Sequence, residues 1–313
     1  MSTNHRSISV ALCTYNGAKY LHSQLDSILN QSFPPHEIVI IDDCSTDNTV
    51  NIIKQYAANN NIIRYSINEK NLGHLRNFSL AIEKTRGDFV ALADQDDIWP
   101  KDHIEKLVNS IGEKALCVGD CIMIDDQGKE TGKKYSEMKK NSYIPESDIA
   151  KAYRIVYNTN PYQGASMLID RKWAENFLPI PIEAGFHDTY LALCACLTQG
   201  IVVLPDIVNK YRIHAGQASE PWQPSIWNEL RRKKHFLCWP SKRVIIERIL
   251  SKAPSIPPEG RVFINEFQHA LELDRQNMRF KVLRIKNQHY REIYSCSTYK
   301  HIFLRSLHFL IAF

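Results

Sequence analysis

The first hundred residues switch between two hydrophobic rhythms. Residues 7–13 (SISVALC), 37–41 (EIVII), 62–67 and 89–93 are short β-rich runs of strand length. Between them, residues 18–31 place Leu21, Leu25, Ile28 and Leu29 at i, i+4, i+7 and i+8, one face of a helix. Residues 47–58 and 75–84 keep the same period. Ser45 or Thr46 stands where the first of these needs a cap, and Gly87 follows the second. Pro100 marks the start of a further helix. Strands alternating with helices predict right-handed βαβ units, and hence an α/β fold with a mainly parallel central sheet flanked by helices.

The pattern loosens further on. Residues 115–124 and 165–170 read as strands, 189–197 as a helix, and 201–204 and the surroundings of Tyr211 as two more strands. Residues 129–147 are polar and predict a loop. The proline-rich stretch 253–260 (APSIPPEG) interrupts the C-terminal segment, and no internal repeat is visible. With 313 residues, the chain divides into one large domain, 1–221, and a largely helical extension, 222–313.

Charge sharpens that division. Residues 1–221 carry 22 Lys and Arg against 27 Asp and Glu, a net of −5, whereas residues 222–313 carry 17 against 7, a net of +10. A basic extension of this kind faces either solvent or an anionic partner, such as the inner surface of a membrane. The eight cysteines lack CxxC spacing and the density of a disulfide scaffold, which suggests reduced thiols. No run reaches the ~18 apolar residues of a membrane span, and residues 1–10 have no signal-peptide core. A cytoplasmic protein is the expectation.

In open parallel sheets, ligands bind beyond the carboxyl ends of the strands. There the sequence places Thr14-Tyr15-Asn16-Gly17, Asp42-Asp43 and Asp94-Gln95-Asp96-Asp97. Carboxylates gathered at neighbouring strand ends repel one another unless a cation joins them. Oxygen ligands suit a hard ion such as Mg²⁺ or Mn²⁺, which also accepts phosphate oxygens. The same residues could instead cap helices and solvate loops. A P-loop and a GxGxxG fingerprint are both missing, so a nucleotide would be held by stacking, carboxylates and metal. Tyr15 is placed either to stack on a base or to fill the core.

Together, VALCTYNGAKYL, EIVIIDDCSTDNT, NLGHLRNFSLAI and ALADQDDIW resemble the inverting family-2 glycosyltransferases of the GT-A fold, and FHDTYLAL and KYRIHAGQAS are similar to the rhamnosyltransferase-like members. The resemblance spans roughly residues 7–220. It implies that Tyr15 contacts the base and Asp43 reads the pyrimidine edge, with Arg76 lying near the nucleotide. Asp94 would sit near the ribose, with Asp96 and His214 on the Mg²⁺ or Mn²⁺, and Gly164 before the acceptor-side strand. Asp188 would be the general base, with His187 in place of the usual preceding acid. Cys44 departs from a frequent glycine. The implied partners are a nucleotide-sugar donor (dTDP-rhamnose first, UDP-hexoses next) and a glycan or lipid-linked glycan acceptor, with no nucleic acid. The competing readings are a non-catalytic nucleotide-sugar-binding protein of the same fold and a phosphoacceptor signalling domain. The second of these is too short to explain the His187-Asp188 and YRIH segments.

Overall fold

The computed structural model describes residues 6–138, 145–157, 160–215, 217, 239–276, 284–285 and 288–289. Its first half follows the two rhythms. Strands β1 (Ile8–Thr14), β2 (Glu37–Asp42), β3 (Ile63–Ile67) and β4 (Phe89–Asp94) alternate with helices α1 (Leu21–Leu29), α2 (Thr49–Asn59) and α3 (His74–Glu83). The strands run parallel in the order β3-β2-β1-β4. β1 and β2 are buried along their whole length, because helices cover both of their faces. Neither Ser45 nor Thr46 caps α2. Its N-cap position is Asn48, and Asp47 accepts from the Thr49 amide at 2.9 Å, while Ser45 is drawn away to Asp42.

Beyond α4 (His103–Ser110) the sheet becomes mixed. β5 (Leu116–Ile124) takes β8 (Ile201–Arg212) in parallel along one edge. Its other edge is shared by β7 (Met167–Asp170) and β6 (Glu130–Lys134), both antiparallel, and β7 also joins β4 antiparallel. The polar stretch expected to be a loop thus contains a strand, β6, and a short helix, α5 (Tyr135–Met138); its residues 139–144 lie outside the described residues. The two strands expected at 201–204 and near Tyr211 are one continuous strand. β8 accommodates its length by bulging: Val118 pairs with Val203 but Asp120 with Ile207, and Cys121 then pairs with Asn209. Pro205, which cannot donate to a ladder, lies inside the first bulge.

One face of the sheet is covered by α1, α2 and α4 through Leu25, Ile53 and Leu107. The other carries α3, α6 (Asp148–Tyr157), α8 (His187–Cys196) and two C-terminal helices, α9 (Trp239–Lys252) and α10 (Pro258–Arg275). The short α7 (Arg171–Glu175) follows β7. Ile245, Ile249, Phe263 and Phe267 of α9 and α10 are buried in the same apolar cluster as Leu191 and Leu193 of α8. The proline-rich stretch 253–260 supplies the connection between these two helices and the first residues of α10. Six described cysteines are free thiols.

Candidate active site

Because β1, β2 and β4 are adjacent and parallel, the loops after them open at one edge of the sheet. The buried Cys13 thiol near the end of β1 is pushed up by burial and by the fields of Asp94 and Asp43, so both carboxylates flank that edge. Tyr15 leaves β1 with its side chain 47% exposed. Its backbone is clamped by Gln95, whose Oε1 accepts from the Tyr15 amide at 2.8 Å and whose Nε2 donates to the Tyr15 carbonyl at 3.0 Å. A side chain at Gly17 would collide with Gln95, so the close approach of the two loops requires glycine there.

The two aspartates after β2 do different work. Asp42 is fully buried and accepts from Thr14 Oγ1 (2.7 Å), Ser45 Oγ (2.6 Å) and the Ser45 amide (2.8 Å), which makes it a loop organiser. Asp43 accepts from Asn68 Nδ2 (2.8 Å) and from the amides of Leu72 (2.8 Å) and Gly73 (2.9 Å). A carboxylate has about four acceptor positions, so roughly one is left for a ligand. Cys44 adopts φ 65°, the left-handed turn that the frequent glycine would take without strain. Arg76, on α3, lies 3.9 Å from Glu83, and among the described residues no hydrogen bond or ion pair joins it to Asp43, Asp94 or Asp96.

At the end of β4 the carboxylates meet. Asp94 has no hydrogen-bond partner among the described residues; burial, Asp96 and Asp188 together push its carboxyl up to about 7. Asp96 Oδ2 lies 2.8 Å from His214 Nε2, and the His214 ring packs on Tyr20 with centroids 4.7 Å apart. Asp97 faces inward: it accepts from Asn209 Nδ2 at 2.6 Å and from the Arg212 amide at 3.0 Å, and its carboxyl is pushed well up by burial and by Asp96 and Asp94. Arg212 is buried, donates to the carbonyls of Asp96 (2.7 Å), Asp125 (3.1 Å) and Asp126 (3.0 Å), and places its guanidinium 4.8 Å over the Tyr20 ring. Arg212, Gln95 and Tyr20 were not singled out as site residues from the sequence, where they show only as members of YRIH, DQDD and AKYL.

Asp188 stands in the first turn of α8, where the helix dipole favours its charge. One of its oxygens accepts from the Thr189 amide. Its field reaches both Asp94 and the buried Tyr135 hydroxyl, which burial and then Asp188 push up. The preceding His187 is buried and stacked on Phe78 with centroids 3.9 Å apart; burial pushes it down to about 4, and neither ring nitrogen has a partner among the described residues. Gly164 lies in a tight turn before β7, and any side chain there would overlap His187 Nε2.

Among the described residues, no three His, Cys, Asp or Glu side chains form a ready-made metal cage. Asp96 and His214 provide two adjacent ligands, and Asp94 is a half-buried carboxylate whose repulsion a cation would relieve. Two protein ligands completed by phosphate oxygens and water is the way Mg²⁺ is commonly held beside a diphosphate. The donor set therefore fits the ion.

Comparison with known proteins gives a consistent result. The sequence pattern described as Glycosyl transferase family 2 matches residues 9–178. TuaG of Bacillus subtilis, named for a glycosyltransferase role in teichuronic acid biosynthesis, is 37% identical over 108 residues, covering 34% of this chain and 43% of TuaG. TarS of Staphylococcus aureus, a poly(ribitol-phosphate) β-N-acetylglucosaminyltransferase, is 29% identical over 155 residues, 49% of this chain and 26% of TarS. The matches thus span less than half of either relative. The crystal structure of TarS 1-349 with UDP-GlcNAc shares the fold (TM-score 0.57, 21% identity, 92% of this chain and 82% of that one). So does a mannosyltransferase from Pyrobaculum calidifontis with GDP-Man and Mn²⁺ (TM-score 0.57, 17% identity, 99% and 81%).

Proposed function

Because the chain belongs to glycosyltransferase family 2, we propose that it transfers rhamnose or a hexose from a dTDP- or UDP-linked donor to a glycan acceptor, with a divalent cation and with inversion. The observation that carries this reading is the cluster at the end of β4: Asp96 lies 2.8 Å from His214, and beside it the half-buried Asp94, without a hydrogen-bond partner among the described residues, is pushed up to about 7 by desolvation and by Asp96 and Asp188, as expected of a site built to meet a cation and a developing charge.

Tyr15 offers its exposed ring to the base, and the remaining acceptor position of Asp43 suits the imide N–H of uracil or thymine. The TarS complexes with UDP and UDP-GlcNAc support a uracil donor, and the rhamnosyltransferase-like motifs support dTDP-rhamnose. Asp96 and His214 would hold Mg²⁺ or Mn²⁺, which when bound offsets the charge of the departing diphosphate. Arg212 fixes the Asp96 loop and adds positive charge at the same end. Asp188 takes the proton of the acceptor hydroxyl as that oxygen attacks the anomeric carbon opposite the diphosphate. Arg76, whose side chain is exposed on α3 and 3.9 Å from Glu83, would lie near the nucleotide without a part in the proton or metal steps. The same reading puts the protein at the cytoplasmic face of a membrane that carries lipid-linked acceptors.

The test combines donor selectivity, metal and base. Calorimetry should rank UDP and dTDP above GDP, ADP and CDP, and sugar release should stop in EDTA. Asp188→Asn should keep UDP affinity while slowing transfer at least roughly a hundredfold. Full turnover in EDTA, or near-normal transfer by Asp188→Asn, would overturn the reading.

A further inference from the structure

Phe186 stands two residues before Asp188 with 57% of its surface exposed. Consecutive Cα atoms are 3.8 Å apart, so the two Cα atoms lie within about 7 Å of each other. Phe186 is extended (φ −135°, ψ 138°) immediately before α8, and it is exposed where the following His187 is buried. Its ring is backed by His74 (centroids 5.8 Å apart, 33° between planes), whose Nε2 lies 3.2 Å from the Gly185 carbonyl oxygen. The loop behind it is pinned: Ile180 N donates to Ser79 Oγ at 2.9 Å, Tyr190 Oη to the Phe177 carbonyl at 2.6 Å, and Arg248 Nη2 to the Leu178 carbonyl at 2.6 Å. An exposed aromatic ring is thus carried on a pinned loop two residues before Asp188.

A pyranose ring matches that pairing. One of its faces presents polarised C–H groups, which suit the negative face of an aromatic ring, while its hydroxyl rim suits a carboxylate. We propose that Phe186 is the platform on which the acceptor's sugar ring stacks, presenting a hydroxyl to Asp188, and is thereby a specificity-determining residue. The proposal rests on the glycosyltransferase reading above. Ile182, 73% exposed on the same loop, extends the apolar surface.

The test uses the full chain with UDP and Mg²⁺, and methyl β-D-glucopyranoside, methyl N-acetyl-β-D-glucosaminide and methyl α-L-rhamnopyranoside as probes, followed by saturation-transfer NMR. At least one glycoside should show its strongest transfer at the C–H groups of one ring face. Phe186→Tyr, which keeps the aromatic face, should retain the signal. Phe186→Leu, which keeps apolar area but no aromatic face, should bind roughly tenfold more weakly. No transfer to any glycoside in the parent chain, or equal binding by Phe186→Leu, would overturn the platform; the second result would mark a general apolar contact, such as lipid or protein. Calorimetry of UDP and dTDP on the same samples judges the donor site separately: a parent chain that binds neither overturns the function reading, and the glycoside signal still decides the platform.

Discussion

His103 is held neutral by its surroundings. Its ring lies 3.7 Å from that of Trp99 and nearly parallel to it, Nδ1 is 2.6 Å from the Val208 carbonyl oxygen, and burial pushes the imidazole down to about 3. Since the folded value lies below the unfolded one, the stabilising contribution is complete above the ordinary ~6.5 and is lost as pH falls towards 3, because the unfolded chain takes up the proton first. His103→Phe keeps the stack but cannot take up a proton. Between pH 7 and pH 5 the parent chain should therefore lose about 2 kcal/mol relative to this variant, read from paired thermal melts. An unchanged gap would mean that the imidazole is not held neutral. Residue chemistry of this kind was only partly legible. The run Asp94-Gln95-Asp96-Asp97 was visible, as was the lone Asp188. The division of labour between Asp42 and Asp43 was not, since it depends on amides supplied by Ser45, Leu72 and Gly73. Arg212 was hidden for the same reason: its partners are carbonyl oxygens more than 80 residues away.

Elements were legible where one face was buried and the other wet. α1 and α3 obey a helical period because each packs a single face on the sheet, α1 on one side and α3 on the other. α8 does not: nine of its ten residues are buried between the sheet and the C-terminal helices, so it is apolar nearly all round and its start was placed two residues late. β6, with four of its five residues exposed, has no apolar signature and reads as a loop. The start of α8 is set by packing, through Gly164 against His187 and Phe78. Gly164→Ala should cost about 1–3 kcal/mol by overpacking, and should slow transfer more than it weakens UDP binding, because the displaced ring adjoins Asp188. Melting curves and donor titrations check this; a variant with normal stability and transfer would show that the ring can move aside freely.

At the scale of the whole molecule, the extension reads differently from its charge. Residues 239–276 carry six Lys and Arg against five Asp and Glu, and their apolar side chains join the body's core. Most of the +10 therefore belongs to the remaining tail residues, including Arg231 to Lys234 and the last apolar segment, which lie outside the described residues. Membrane attraction of about 1 kcal/mol per basic residue near an anionic leaflet then predicts co-flotation of the full chain with phosphatidylserine vesicles at low salt, released by high salt. No flotation at low salt would assign the tail to packing alone. The bulges of β8 add three residues against β5, two before Ile207 and one before Asn209. Side chains along a strand face alternate sides, so that odd total decides which side Asn209 and Arg212 present to Asp97 and to the loop at 125–126. The length of this stretch is therefore fixed in parity as well as in size: a change by two preserves the assignment, whereas a change by one exchanges the two faces beyond it.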